Sequence, residues 1–496
     1  MVKKVSYETL FFAICFIMLF LFFAYVHPLI PYDGDDWANL SMMRGAYPRW
    51  GIWNPIKILP ETAMPLIGYI SAYLFNPIVN DYITSITLCA SIFFSALITL
   101  YLYFFYRFLK SIYELPNNVG IFITLLFLLI NFLIFKSDKF NNMYMFYSVN
   151  LTCYFHYVLP ALLNSILVLY LLKFKNLLKE KGILKNSLII IGIYLSIFSN
   201  VFHSIMLITY IFIELLFGFI NDKNIRSIKI NELKIYIKEN ADWVLIITIW
   251  LLSLFFEANG GRATQIGHSI FELPIWQTLM ALGTLLKQAS KGFIAILIVG
   301  VLIALVIYIK TKNKTADDDI YETMTLKSLL CLLITVVYVV LISAKASPGY
   351  IAVTHVAFSF LFYLFILLFN AIAYIFKKYP KAVIVLPLVC FIIAIQTLNT
   401  DKHFRESNMR NIAPYKCVLI DNYLIEQVVE ADKNGKKEMV LIVPKGDNRD
   451  NWPHPKYMGG NISRTLYAHG VISQDMKITI KPDENINKKF HLGYFK

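Results

Sequence analysis

A 496-residue chain that is 58% hydrophobic, 16% aromatic and 16% charged, with mean hydropathy +0.60, carries more apolar surface than a soluble core of that length hides, which excludes an ordinary water-soluble protein. Its formal charge of +14 invites two readings, nucleic acid or membrane, and the distribution traced below selects the membrane; no nucleic-acid partner is expected. Six cysteines without framework spacing or a CxxC pair suggest neither a disulfide scaffold nor a zinc site.

The first apolar run, 10–26, follows Lys3 and Lys4 and lacks a small-residue cleavage site before His27-Pro28, so it reads as a retained anchor. A helix needs about 20 apolar residues to cross a hydrocarbon core of roughly 30 Å. Further runs of that kind occupy 83–106, 118–135, 157–174, 187–200, 202–220, 243–256, 291–309, 326–343, 355–376 and 381–398. They are continuous rather than alternating, which predicts helices whose backbone is satisfied within lipid. Three connections are long: 27–82, 136–156 and 257–290. In the first, Met64 to Pro77 is apolar but short and flanked by prolines, and is expected at the interface or partway into it. Between 187 and 220, Asn200 and His203 predict a tight hairpin. In the third long connection, Ile275, Leu279, Leu282 and Leu286 follow helical spacing within Glu272 to Lys287, predicting a helix lying in the membrane plane.

From residue 399 the chain turns polar, with strand-like Met439 to Val443 and Met476 to Ile480 and turns at Pro453, Pro455, Gly459 and Gly460. The expected fold is therefore an all-α polytopic membrane domain of about eleven transmembrane helices, 1–398, followed by a small α/β domain, 399–496.

Lys and Arg collect in short cytoplasmic loops. With the N-terminus inside, inner segments hold 21 of the 46 basic residues, outer loops nine and the tail 16, and all nine histidines fall outside. The C-terminal domain is then extracytoplasmic. Abundant Ile, Lys and Asn suit an AT-rich bacterial genome, so the expected location is a bacterial plasma membrane.

Directly after the first run comes Pro31-Tyr32-Asp33-Gly34-Asp35-Asp36-Trp37. Charge beside a bilayer is costly, so three carboxylates there call for a function. A carboxylate at the membrane surface suits transfer of a sugar from a lipid phosphate to a hydroxyl, because the acceptor must lose a proton as the new bond forms. Asp35, then Asp36, are the candidate bases, with Asp33 beside them. A plainer alternative is a turn at Asp33-Gly34 with Asp35 or Asp36 capping a helix that starts near Trp37.

With Gly34-Asp35-Asp36 in a long first outer loop, the N-in first helix, the number of spans and the extracytoplasmic tail, the chain resembles the GT-C membrane glycosyltransferases, among them bacterial enzymes of cell-surface polysaccharides and teichoic acids. Members commonly carry Asp-Glu or Glu-Asp at this place, so Asp-Asp is a variant. The resemblance implies a polyprenyl-phosphate sugar donor, a cell-envelope glycan acceptor, and inversion at the sugar carbon; it leaves a divalent metal possible, since only some members need one. No other cofactor is expected.

For a lipid phosphate, the outer cations include Arg262 after Asn259-Gly260-Gly261, Lys345 before Ala346-Ser347-Pro348-Gly349, and Arg44. His203 and His355 stand at outer helix ends as further phosphate candidates, and His156 and Trp37 as substrate contacts; Arg44 is grouped with these. Aromatic belts and snorkelling cations account for the same residues without a site. Glu214 is the most deeply placed carboxylate, suited to an ion path or to a partner on a neighbouring helix. The competing functions are a transporter or flippase for lipid-linked saccharides, a glycan polymerase or ligase, and a scaffold.

Overall fold

The computed structural model describes residues 6–42, 57–135, 144–173, 182–222, 230–258, 272–311, 315–398 and 412–493. The molecule is a bundle of apolar helices with a small α/β unit seated on one end. Among the described residues nine helical stretches are long and apolar enough to cross a membrane, and three shorter ones, Asn117–Leu133, Ile183–Ile197 and Pro380–Ile395, are also apolar. The chain is an all-α polytopic membrane protein with one two-stranded sheet among the described residues.

Two pairs of neighbouring helices run antiparallel, as their polar contacts show. The stretch Tyr7–Val26 lies along Tyr82–Tyr113, with Tyr106 donating to Glu8 (2.7 Å) near one end and Ser91 donating to the Phe23 carbonyl (2.7 Å) towards the other. Ala316–Ala346 likewise pairs Lys327 with Glu214 (2.7 Å) and sends the Tyr338 hydroxyl to the Val201 carbonyl (3.1 Å), at the start of Val201–Asp222. The central helix, Thr354–Lys378, is apolar on every side and almost wholly buried, as expected of a helix surrounded by protein.

One of the nine stretches, Ile58–Val79, does not run down the bundle. It starts where the Leu59 amide meets the Phe198 carbonyl (3.5 Å) in the turn between two helices. It finishes beside Asp81, which caps Tyr82–Tyr113 by accepting from the Thr84 amide (2.6 Å). Both places belong to the same end of the bundle, so this lateral helix lies across that end. The sequence expectation of an interfacial segment at Met64 to Pro77 thus acquires a longer helix with Pro65 inside it.

The predicted helix at the third long connection spans Ile275–Lys287, and Asn200 closes the predicted hairpin by accepting from the Phe202 amide (2.8 Å). Glu214 has its cation in Lys327, which lies inside a helix rather than in an inner loop. Five of the six cysteines are buried.

In the C-terminal unit, the strands Glu438–Pro444 and Lys477–Asp483 pair in parallel, with Glu438 opposite Lys477 and Leu441 opposite Ile480. Parallel pairing requires a crossover, supplied by the helix Met458–Ala468. The helix passes so close that a Cβ on Gly459 would stand 2.3 Å from the Ile478 carbonyl oxygen, which is why glycine is needed there. Gln427, from the helix Pro414–Lys433, bonds both the amide and the carbonyl of Ile442 (3.0 Å each), so a side chain takes the place of a third strand.

Candidate functional site

The acidic motif follows a π-helical turn, Phe22–Val26, that ends the first helix. Asp33 opens the next helix, Gly34–Asn39, by accepting from the amides of Asp35 and Asp36 (3.1 Å each). The cap is therefore Asp33, and the helix begins at Gly34 rather than near Trp37 with Asp35 or Asp36 as cap. The other Asp33 oxygen accepts from Asn150 (2.7 Å). Asp36 turns inward: its Oδ1 accepts from the Thr152 amide (2.6 Å) and hydroxyl (2.7 Å), and its Oδ2 from the Tyr32 amide (3.0 Å).

Asp33 and Asp36 are both buried, whereas Asp35 is exposed and accepts from the Tyr457 hydroxyl (2.8 Å). Burial pushes the Asp33 carboxyl well above the usual carboxylate range and that of Asp36 up to about 6, against the opposing pull of the donors around them. The three acids thus divide into two that hold the chain and one that faces out.

The segment 144–158 ties this motif to the histidines. Within it, Asn150 caps the next helical turn by accepting from the Cys153 amide (2.8 Å), and Ser148 meets His355 Nδ1 (3.1 Å). His203 Nε2 donates to the His355 carbonyl (2.7 Å), and the Tyr157 ring centroid lies 4.5 Å from that of His355. The structure therefore brings His203 and His355 together, two residues along the same segment from the partner of Asp33. Both are buried, and these contacts fasten helix ends rather than present a nitrogen to a phosphate at the surface.

Trp37 is fully buried and stacks on Tyr82, with centroids 6.4 Å apart. His156 is half-buried in the π-helical turn Tyr154–Val158, where its carbonyl accepts from Asn200 (2.8 Å). Lys345 is half-buried in the last turn of Ala316–Ala346. Arg44 and Arg262 lie outside the described residues.

The C-terminal unit covers the motif and bonds to it at several points. The Gly34 amide donates to the Pro453 carbonyl (3.1 Å), and Thr465 donates to the Trp37 carbonyl (2.7 Å) and meets Ser41 (2.8 Å). Tyr73 donates to the Ala468 carbonyl (2.9 Å), and Tyr82 bonds His469 Nδ1 (2.6 Å).

Inside this seam, among the described residues, the ionisable side chains of Asp421 and His454 have no hydrogen-bond partner. Burial, with the charges of Asp36 and Asp33, holds the Asp421 carboxyl well above its usual range. His454 packs edge-on against Tyr32 (5.1 Å), and burial draws it down to about 3, so it is neutral. A signal for Asp421 existed: it interrupts an otherwise apolar helical stripe of Cys417, Ile420, Leu424, Ile425 and Val428.

Among the described residues no group of three or more His, Cys, Asp or Glu is arranged to hold a metal ion. Six protein donors already occupy the oxygens of Asp33 and Asp36, so these two acids do not fit a metal as they stand. Comparison with protein-family models, curated proteins and solved structures finds no match.

Proposed function

We propose that the chain is a GT-C-type glycosyltransferase that moves a sugar from a polyprenyl-phosphate donor to a hydroxyl of a cell-envelope glycan, on the outer face of a bacterial plasma membrane. With the eleven crossings expected from the sequence, the C-terminal unit would share that face with the acidic loop. The observation that carries the reading is the division of labour within the motif. Asp33 and Asp36 are buried and hydrogen-bonded so as to hold a short helix, and Asp35 is the acid left exposed at the rim of the bundle.

In this reading Asp35 takes the proton of the acceptor hydroxyl as its oxygen bonds to the sugar's anomeric carbon. The bond from that carbon to the lipid phosphate breaks, and the lipid phosphate leaves with the electron pair, inverting the carbon. Lys345, with Arg262 and Arg44, would neutralise the departing phosphate. Support against a transporter comes from the polar groups: the motif, His203, His355 and the seam gather at one end, while Glu214, deeper in, is paired with Lys327.

The test is transfer by the purified protein in lipid, offered radiolabelled polyprenyl-phosphate sugars one at a time with envelope glycan as acceptor. Asp35→Asn should lower the rate about 10²- to 10⁴-fold, the size of a general-base contribution. Full transfer by that variant would remove the base and the mechanism with it.

A further inference from the structure

Resting on the reading of Asp35 as base, we infer that the C-terminal unit completes the active site and that its Tyr457 is the positioning residue of that base. The grip is local and extends along the acidic helix. At the helix's start the Gly34 amide is bonded to the Pro453 carbonyl (3.1 Å), and at its middle the Trp37 carbonyl accepts from Thr465 (2.7 Å). Just past its end Ser41 meets the same Thr465 hydroxyl (2.8 Å). The fit at Gly34 has no slack: a Cβ there would stand 2.7 Å from Pro455 Cγ and 3.0 Å from the Tyr457 ring. Within this seat the Tyr457 hydroxyl donates to Asp35 Oδ1 (2.8 Å), and no described residue bonds Asp35 Oδ2.

An exposed carboxylate on a six-residue helix has several rotamers open to it. One bond from a ring anchored on another unit selects a single orientation and leaves the second oxygen for an acceptor hydroxyl, which is the preorganisation a general base needs. Tyr457 is 48% exposed, so ring and acid share a rim that a glycan can reach. The ionisable groups around the pair are Asp33 and Asp36 on the same turn and Asp450 of the C-terminal unit. Sequence alone could not join residues 422 positions apart.

Three variants of the full chain in lipid test this. In Tyr457→Phe the carboxylate loses the bond that fixes its orientation, so the maximal rate should fall roughly tenfold, with donor KM unchanged. The double variant Ser41→Cys with Thr465→Cys should form a disulfide across the seam, and the locked protein should still transfer sugar. The same disulfide built into Tyr457→Phe verifies that this variant keeps its seat. Failure of the disulfide to form, loss of transfer on locking, or an unchanged maximal rate in Tyr457→Phe would each overturn the composite site. If the parent transfers sugar from no donor, the glycosyltransferase reading falls instead, and the disulfide still reports the seat.

Discussion

Asp36 shows how a bilayer-edge carboxylate becomes structural. Three donors, the amides of Tyr32 and Thr152 and the Thr152 hydroxyl, converge on its two oxygens in a fully buried setting. Asp36→Ala strands those donors and should cost about 2–5 kcal/mol, read as a fall in melting temperature in detergent. Asp35→Asn, on the exposed side, should stay within about 0.5 kcal/mol of the parent. Equal melting temperatures for the two would contradict the division between them. Asp421 sets a second expectation. Its raised folded-state pKa means that, above the ordinary carboxylate range, the folded chain binds more protons than the unfolded one, and stability falls as pH rises. His454 acts in the opposite sense. Drawn down to about 3 from 6.5, it is protonated between those values only when unfolded, and stability is lost as pH falls through that window. Asp421→Asn should therefore raise stability at pH 7 by about 1–3 kcal/mol, with the gain shrinking towards pH 4. A gain that is the same at both pH values would assign it to something other than the carboxyl's ionisation. The acidic motif was legible at this scale because charge at a membrane edge is rare; which of its acids faces out was not, since that depends on donors from segment 144–158 and from Tyr457.

At the scale of elements, the lateral helix and the acidic helix meet at a glycine. A Cβ on Gly68 would lie 2.4 Å from the Leu40 carbonyl oxygen and 3.0 Å from His469 Cε1, so one methyl group pushes backbone on one side and the C-terminal unit on the other. Gly68→Ala should cost about 1–3 kcal/mol and expose the 412–493 unit to protease, whereas unaltered protection would mean that the seam yields without strain. The pair Glu214 and Lys327 joins two helices beside a small crevice lined by Tyr210, Cys331 and Tyr363. Lys327→Met leaves Glu214 without its cation and should destabilise by about 3–5 kcal/mol, and adding Glu214→Gln should restore most of the loss. If the double variant is no more stable than the single, the pair is not what joins the helices. The apolar helices could be read from composition because each needs only its own residues; the lateral course of Ile58–Val79 could not, because length and apolarity alone also fit a crossing.

For the whole molecule, the basic residues assign sides, and the structure separates two ends. Tyr457 and the acidic helix occupy one end; the ion pairs Glu8 with Lys110 and Asp318 with Lys378 occupy the other. Cysteine placed at Lys456 should react with a membrane-impermeant thiol reagent in intact cells, and cysteine at Lys310 only after permeabilisation. Labelling of both from one side would overturn the orientation. What the sequence by itself determined is the solvent and the class of structure, since twenty apolar residues in a row are a one-dimensional property that lipid answers with a helix. What only the tertiary structure decided is the use of the polar groups: that Trp37 is core, that His203 and His355 fasten helices, and that Asp35 has a partner from the far end of the chain. Hydrogen bonds act over about 3 Å between groups that may be hundreds of positions apart, and no local pattern of residues records which of them the fold will bring together.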